Sequence, residues 1–284
     1  MGFKRIVRRV AKFILASQPD AFVKVKVAQI NYGEIHKDRK IVITGGGRGL
    51  GFYMAKKFLA EGSKVLIAGR NESTLKNAVR ELGKNCFYIT YDATEYEKSK
   101  GFIQKANDIL GGIDCLICNA GISLHEGNFQ NVTLEGWDKQ FNTNLKGTYF
   151  LAKEFLELKM ANKDFGGNLM FISSETGNQC YDTPYGLTKA AINSLTGALS
   201  RRVYHTGIRV NAIAPGVTLS DMTKDYAEAA DGNMYRDCAS GRIFLPEEVA
   251  ELACFLASDA AKCISGEIIH CNGGNHLKTF WEKN

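Results

Sequence analysis

Between residues 40 and 272, seven short and almost wholly apolar runs alternate with stretches of helical periodicity. That alternation constrains the fold more than any other feature of the chain. The runs are KIVIT (40–44), KVLIAG (64–69), CFYITY (86–91), IDCLICNA (113–120), NLMFIS (168–173), IRVNAI (208–213) and EIIHCN (267–272). Helical patterns occupy 49–61, 72–82, 95–110, 135–162, 184–204 and 246–257. A strand that is apolar on both faces needs cover on both. The alternation therefore predicts an α/β chain, a doubly wound parallel sheet of about seven strands with helices on both faces. With 284 residues, 45% of them apolar, residues 40–284 suffice for one domain with a sizeable core.

The charge is uneven. Residues 1–40 hold ten Lys/Arg and three Asp/Glu, a net of +7; the other 244 hold 26 and 27, a net of −1. The basic character thus belongs to an N-terminal extension, 1–39, and gives the body no nucleic-acid-binding face. Within it, Phe3, Ile6, Val7, Val10, Phe13 and Ile14 form an apolar stripe flanked by Lys4, Arg5, Arg8, Arg9 and Lys12. This is the pattern of a basic amphipathic helix, suited to packing on the body, on a second subunit or on an anionic membrane through residues 1–16. Residues 17–39, with the alternating FVKVKVAQI, connect it to the body, with an edge strand as one reading. No apolar run approaches a membrane span, and no secretion signal is read. Eight cysteines set mostly in apolar runs point to a reduced, cytoplasmic setting. Cys115 and Cys118 form a CxxC, but three positions apart on a strand they face opposite ways and cannot share a metal. The five histidines (36, 125, 205, 270, 276) are scattered without ligand spacing, so no metal is expected.

The first strand runs straight into TGGGRGLGF (44–52) and a helix. Gly45, Gly49 and Gly51 in such a turn let backbone N–H groups approach a diphosphate at a helix N-terminus, although a plain tight turn is the alternative. The second strand ends in IAGRNES, with Arg70 and no acid before Glu72. A site for NAD(H) wants a carboxylate there for the ribose hydroxyl, whereas Arg70 and Arg48 suit the 2′-phosphate of NADP(H). NADP(H) is therefore preferred, with NAD(H) possible. In TPYGLTK (183–189), Tyr185 and Lys189 lie one helical turn apart behind Pro184. An ammonium beside a phenol favours the phenolate, so the pair suits proton transfer; a surface helix carrying one aromatic and one cation is the plain alternative.

Taken in order, TGGGRGLG (44–51), YDAT (91–94), CNAG (118–121), NTNLKG (142–147), ISS (172–174), YGLTK (185–189), RVNAIAPG (209–216) and NGG (272–274) resemble the short-chain dehydrogenase/reductase family from about Lys40 to Gly274. The resemblance implies a Rossmann-type fold and an NADP(H)-dependent oxidoreductase that interconverts a ketone and a secondary alcohol. It implies a catalytic set of Asn144, Ser174, Tyr185 and Lys189, with Tyr185 as general acid and base. Lys189, the oxidised nicotinamide and the helix N-terminus would together make that phenol acidic. Adjacent Ser173 is the alternative to Ser174. Leu50, Asp92, Ala93, Asn119, Ala120, Gly121, Pro215, Gly216, Val217, Thr218 and Ser220 are implied to line the cofactor, with Gly45, Arg48, Gly49, Gly51 and Arg70. Ser220 stands where the family has threonine. Residues 218–245, with Met222, Tyr226, Met234 and Tyr235, follow the sixth strand and read as a substrate lid for a hydrophobic alcohol or ketone. Steroid, acyl-carrier and sugar substrates all remain open. Cys180 and Tyr181 are expected near the same pocket. A homodimer or homotetramer through 135–162 and 184–204 is implied as well. The contrasting reading is an NADP(H)-binding sensor or interaction protein with little turnover.

Overall fold

In the computed structural model the described residues are 33–220, 222–223 and 238–277. The basic helix expected within 1–16, the candidate edge strand before residue 33 and most of the lid at 218–245 lie outside them.

Seven strands form one sheet: β1 (Lys40–Thr44), β2 (Lys64–Gly69), β3 (Cys86–Thr90), β4 (Cys115–Cys118), β5 (Gly167–Ile172), β6 (Ile208–Pro215) and β7 (Ile268–Cys271). Their order is β3-β2-β1-β4-β5-β6-β7, and every pairing is parallel. The order reverses between β1 and β4, so a crevice opens where the chain leaves them in opposite directions. The helices are α1 (Gly49–Ala60), α2 (Glu72–Leu82), α3 (Ser99–Leu110), α4 (Leu134–Gln140), α5 (Thr148–Ala161), α6 (Pro184–Val203) and α7 (Pro246–Ala257).

The period-2 alternation of the strands sorts the core into two layers. Val42, Leu116, Cys118, Leu169 and Phe171 face α3, α5 and α6, where Phe102, Leu151, Phe155 and Ile192 meet them. Ile41, Ile43, Cys115, Ile117 and Met170 face the other way, against Met54 and Phe58 of α1 and Val249 and Ala253 of α7. Cys115 and Cys118 therefore sit on opposite faces, as their spacing requires, and among the described residues no cysteine forms a disulfide. Burying a side chain such as Phe58 or Phe155 contributes about 2–3 kcal/mol.

Local chemistry sets the helix ends. Asn71 caps α2, its side chain accepting from Thr74 N at 2.9 Å. Pro184 and Pro246 open α6 and α7, where a missing N–H costs nothing. Glu248 reaches back to Leu245 N at 2.8 Å and is clamped by Arg242. One boundary departs from expectation. The single helix read at 135–162 is interrupted by a π-helical segment, Phe141–Gly147, between α4 and α5. A Cβ on Gly147 would collide with the Ala93 carbonyl, so this segment packs directly on the turn after β3. The connector's described end is pinned rather than paired in the sheet: buried His36 hydrogen-bonds Cys254 O at 2.9 Å and stacks edge-on against Phe58. No helix among the described residues is long and apolar enough to cross a membrane.

Candidate active site at the carboxyl edge of the sheet

A cavity of about 990 Å³ opens at the β1–β4 crevice and runs along the carboxyl ends of the strands. Its floor is built by Thr44. The Thr44 hydroxyl accepts the N–H groups of both Asn119 and Ala120 at 3.1 Å, and the Asn119 amide donates to Thr44 O at 2.9 Å and Gly45 O at 3.1 Å. These bonds lock the glycine turn to the end of β4. Gly45 and Gly49 have φ of 65° and 53°, the left-handed region that glycine adopts without strain. Gly45, Arg48, Gly49 and Leu50 line the cavity, as do Asn119, Ala120 and Gly121. Gly51 does not, contrary to the sequence expectation. A Cβ there would run into the Gly45 carbonyl, so Gly51 lets α1 pack against the turn from behind.

The far end is lined by Gly69, Arg70, Asp92 and Ala93. Asp92 accepts from Thr94 N and Thr94 Oγ1, both at 2.8 Å, which fixes its carboxylate at the cavity wall. Glu72, the first acid after β2, is turned to Lys76 Nζ at 3.1 Å and Tyr88 Oη at 3.2 Å. Those partners hold its carboxyl below the usual range, Lys76 most strongly. The carboxylate is committed on the helix surface, and Arg70 remains at the strand end.

At the other end, β5 delivers two serines to different environments. The Ser173 hydroxyl donates to Asn193 Oδ1 at 2.6 Å and Lys189 O at 3.4 Å, which ties β5 to α6. Ser174 caps the following turn, accepting from Thr176 N at 3.2 Å, and its hydroxyl lies on the same cavity as the Tyr185 phenol. Tyr185 and Lys189 share one face of α6, with Lys189 Nζ 5.5 Å from the Tyr185 ring centroid. Lys189 is buried, and its ammonium donates to Ile172 O at 2.8 Å. Gly186 makes room for Tyr181, so the loop between Ser174 and Tyr185 closes tightly. Asn144 lies in the π-helical segment, accepting from Ile122 N and donating to Ile122 O, both at 2.8 Å, and donating to Thr188 Oγ1 at 3.3 Å. A Cβ built on Gly121 would lie 3.4 Å from Asn144 Oδ1 and 3.6 Å from Lys189 Nζ. Asn144 is thus behind the cavity wall and next to Lys189. Pro215, Gly216, Val217, Thr218 and Ser220 complete the opposite wall. The Thr218 hydroxyl donates to Gly216 O at 2.9 Å, and Ser220 Oγ pairs with Thr223 Oγ1 at 3.2 Å. Gly49 faces Ser220 across the cavity mouth, since an added Cβ would stand 3.7 Å from Ser220 Cβ.

Tyr185 is not made acidic by the protein alone. Burial pushes its phenol above the ordinary value, the Ser174 hydroxyl pulls it back, and the Glu175 carboxylate raises it further. Lys189 moves the other way, from an ordinary 10.5 down to about 8, because burial disfavours its charge. Both groups are shifted toward neutrality, the expected result when two ionisable side chains share a desolvated pocket.

Glu175 was not anticipated. It is buried at the cavity wall, and its carboxylate accepts from Asn272 Nδ2 at 3.0 Å and Asn275 Nδ2 at 3.1 Å. The only local sign was an acid inside SSETG; both amides come from about a hundred residues later. The histidines are also less scattered in space than in sequence, since His270 and His276 stack with centroids 3.7 Å apart. Among the described residues no cluster of metal-ligating side chains forms.

The family model described as enoyl-(acyl carrier protein) reductase matches residues 45–276. The 3-oxoacyl-(acyl-carrier-protein) reductase FabG of Chlamydia muridarum is 32% identical over 243 residues, covering 84% of this chain and 97% of the relative. A 3alpha-hydroxysteroid dehydrogenase of Mediterraneibacter gnavus is 31% identical over 247 residues, covering 84% and 96%. Among solved structures, 3-ketoacyl-(acyl-carrier-protein) reductase from Brucella melitensis, complexed with NADH, superimposes with a TM-score of 0.77 at 26% identity. It covers 84% of this chain and 99% of that one.

Proposed function

Because the chain belongs to the short-chain dehydrogenase/reductase family of NAD(P)-dependent oxidoreductases acting on CH–OH and C=O groups, we propose that it interconverts a ketone and a secondary alcohol using NADP(H). The observation that carries this reading is convergence: Ser174, Tyr185 and Lys189 line the same cavity as the glycine turn and Arg70.

The cavity fits a dinucleotide. An added Cβ at Gly45 would stand 2.9 Å from Asn119 Nδ2, so glycine there lets the turn pack on the end of β4, and the glycines 45, 47 and 49 line the cavity where a diphosphate needs close approach. Asp92 and Ala93 take the adenine end, and Pro215 to Thr218 with Ser220 take the nicotinamide end. NADP(H) is favoured because Glu72 is engaged elsewhere while Arg48 and Arg70 line the adenosine end. A 2′-phosphate there gains charge-assisted hydrogen bonds that a ribose hydroxyl does not. NAD(H) remains usable at lower affinity.

The bound cofactor supplies the hydride in reduction and takes it in oxidation. Tyr185 gives its phenolic proton to the carbonyl oxygen, or removes the alcohol proton in the reverse direction. Ser174 donates a hydrogen bond to that same oxygen and orients it. Lys189 holds the nicotinamide ribose and places its charge near the phenol, while Asn144 fixes the loop beside Lys189 and holds a water that leads protons to solvent. The rim offers Tyr181 and Met222, which are 46% and 37% exposed and suit a hydrophobic carbonyl compound. We infer a cytoplasmic homodimer or homotetramer built through α4, α5 and α6, with residues 1–16 as a possible contact to an anionic membrane. We further infer that residues 40–284 form one catalytic domain whose lid spans 218–245.

Screening carbonyl compounds, including 3-oxoacyl thioesters and 3-oxosteroids, for NADPH oxidation tests the proposal. The expected result is turnover that Tyr185→Phe lowers about 10³-fold while leaving NADPH binding intact. Equal activity in that variant overturns the mechanism. NADPH binding without oxidation by any member of the panel favours the sensor reading.

A further inference from the structure

The substrate end of the cavity has two walls from different strands: the turn after β5, which carries Ser174, and the loop after β6, residues 215–220. The second wall is backed by the return of the chain at 238–245, where Phe244 N donates to Val217 O and Leu219 N to Phe244 O, both at 2.8 Å. After β7 the chain turns through 272–277 and meets both. Asn275 Nδ2 donates to the two oxygens of Glu175 at 3.1 Å, while Asn275 Oδ1 accepts from Ala239 N at 2.9 Å. One side-chain amide thus joins the neighbour of Ser174 to the return of the chain. Its seat is built. Asn272 adds a donor to Glu175 Oε2 at 3.0 Å, and its Oδ1 accepts from Gly274 N at 3.1 Å and pairs with His276 Nδ1 at 3.0 Å. A Cβ on Gly273 would stand 3.2 Å from Ser240 Cβ and from Phe244 Cζ, so the turn also packs closely on 238–245.

We propose that Asn275 is a positioning residue that braces the Ser174 turn against the return at 238–245 and so fixes the gap in which a carbonyl meets the hydride. Ser174 Oγ accepts from Thr176 N at 3.2 Å, which leaves its own hydrogen to donate into the cavity it lines. Gly177 N closes the same turn on Ser174 O at 3.0 Å. The aim of that hydroxyl is therefore set by the turn, and the turn is gripped at Glu175, which is buried and takes amide donors on both oxygens. Asn275 is not part of the cavity lining, so it acts through Ser174 rather than on the substrate. A displacement of about 1 Å at a reacting group can cost about 10²-fold in rate, so a brace of this kind bears on turnover. Its part in catalysis rests on the oxidoreductase reading; the brace itself does not.

Three full-length variants test it: Asn275→Ala, Asn275→Asp, and Asn275→Asp combined with Glu175→Gln. Alanine removes both bonds. Aspartate keeps the acceptor for Ala239 N but meets the Glu175 carboxyl without an amide donor, and the added glutamine supplies that donor from the other side. With NADPH and acetoacetyl-coenzyme A as the 3-oxoacyl probe, kcat is expected to fall about tenfold in both single variants while the NADPH KM stays within about twofold. The double variant should recover to within about threefold of the native kcat. Amide hydrogen exchange read by mass spectrometry follows the brace with no substrate present. Residues 174–178 and 238–241 should exchange about tenfold faster in the single variants and return in the double one, with 44–51 unchanged. Asn275→Ser replaces Asn275→Ala if that chain does not fold. An unchanged kcat in the single variants, an NADPH KM that rises as far as kcat falls, or a double variant no better than Asn275→Asp overturns the proposal. A chain that reduces no carbonyl compound loses the oxidoreductase reading alone, and the exchange arm still decides the brace: unchanged protection at either stretch overturns it.

Discussion

The two ends of the cavity are made of different material. The nucleotide end, where β1 meets α1 and β2 meets α2, is mostly backbone: glycines at positive φ, amides of Asn119 and Ala120 on one threonine hydroxyl, and strand ends. The proton-transfer end, where β5 meets α6, is made of side chains whose charges are reset by burial. A backbone cradle fails by collision and is indifferent to pH. A side-chain constellation fails by electrostatics and responds to pH throughout.

The largest expected effect breaks the nucleotide end by collision. Gly51→Ala drives a methyl group into the Gly45 carbonyl and is expected to raise the NADPH Kd about 10²-fold and to destabilise the fold by about 3 kcal/mol. Fluorescence titration and denaturant unfolding measure the two, and both changes should be independent of pH.

Next in size is the pH response of the other end. Lys189 falls from 10.5 in the unfolded chain to about 8 in the cofactor-free fold, a burial cost of about 3 kcal/mol for its charged form. Between those values the unfolded chain binds more protons, so the stability of the cofactor-free protein rises with pH from about 8 to 10.5. Lys189→Met removes that rise. It gains about 2 kcal/mol near pH 7, because the Ile172 carbonyl loses its donor and returns part of the benefit. Denaturant midpoints across that pH range decide it, and a flat native profile counts against a depressed Lys189 in the folded protein.

The smallest effect sharpens the comparison inside the nucleotide end, where a side chain rather than backbone is expected to select the cofactor. Arg70→Ala should weaken NADPH about tenfold and leave NADH unchanged, as parallel binding titrations would show. Equal loss of both cofactors would make Arg70 a general anchor.

This division also explains what could be read in advance. The strands KIVIT and KVLIAG coincide with β1 and β2, and α2 and α7 fall where their periodicity put them, because those signals are local. The glycine turn was legible for the same reason, since φ > 0 and close approach leave glycine as the residue that fits. Gly51 was assigned to the cofactor because spacing along a chain does not say which side of a turn a glycine faces. The π-helical segment was missed because local periodicity does not mark it, and the contact of Gly147 with Ala93 that accompanies it joins positions 54 residues apart. Glu175 was missed for a similar reason: burial and its two amide donors come from tertiary structure. The acidity of Tyr185 was read with the oxidised nicotinamide among its causes, and what helical spacing could not carry is the desolvation that raises the phenol in the cofactor-free protein.

The account therefore holds that Tyr185 becomes a competent acid and base through the cofactor rather than through Lys189 alone. Titrating the Tyr185 phenol with and without saturating NADP⁺ tests this most directly. The midpoint should fall by about two pH units when the oxidised cofactor binds. A midpoint that stays above the ordinary tyrosine value with cofactor in place would contradict it.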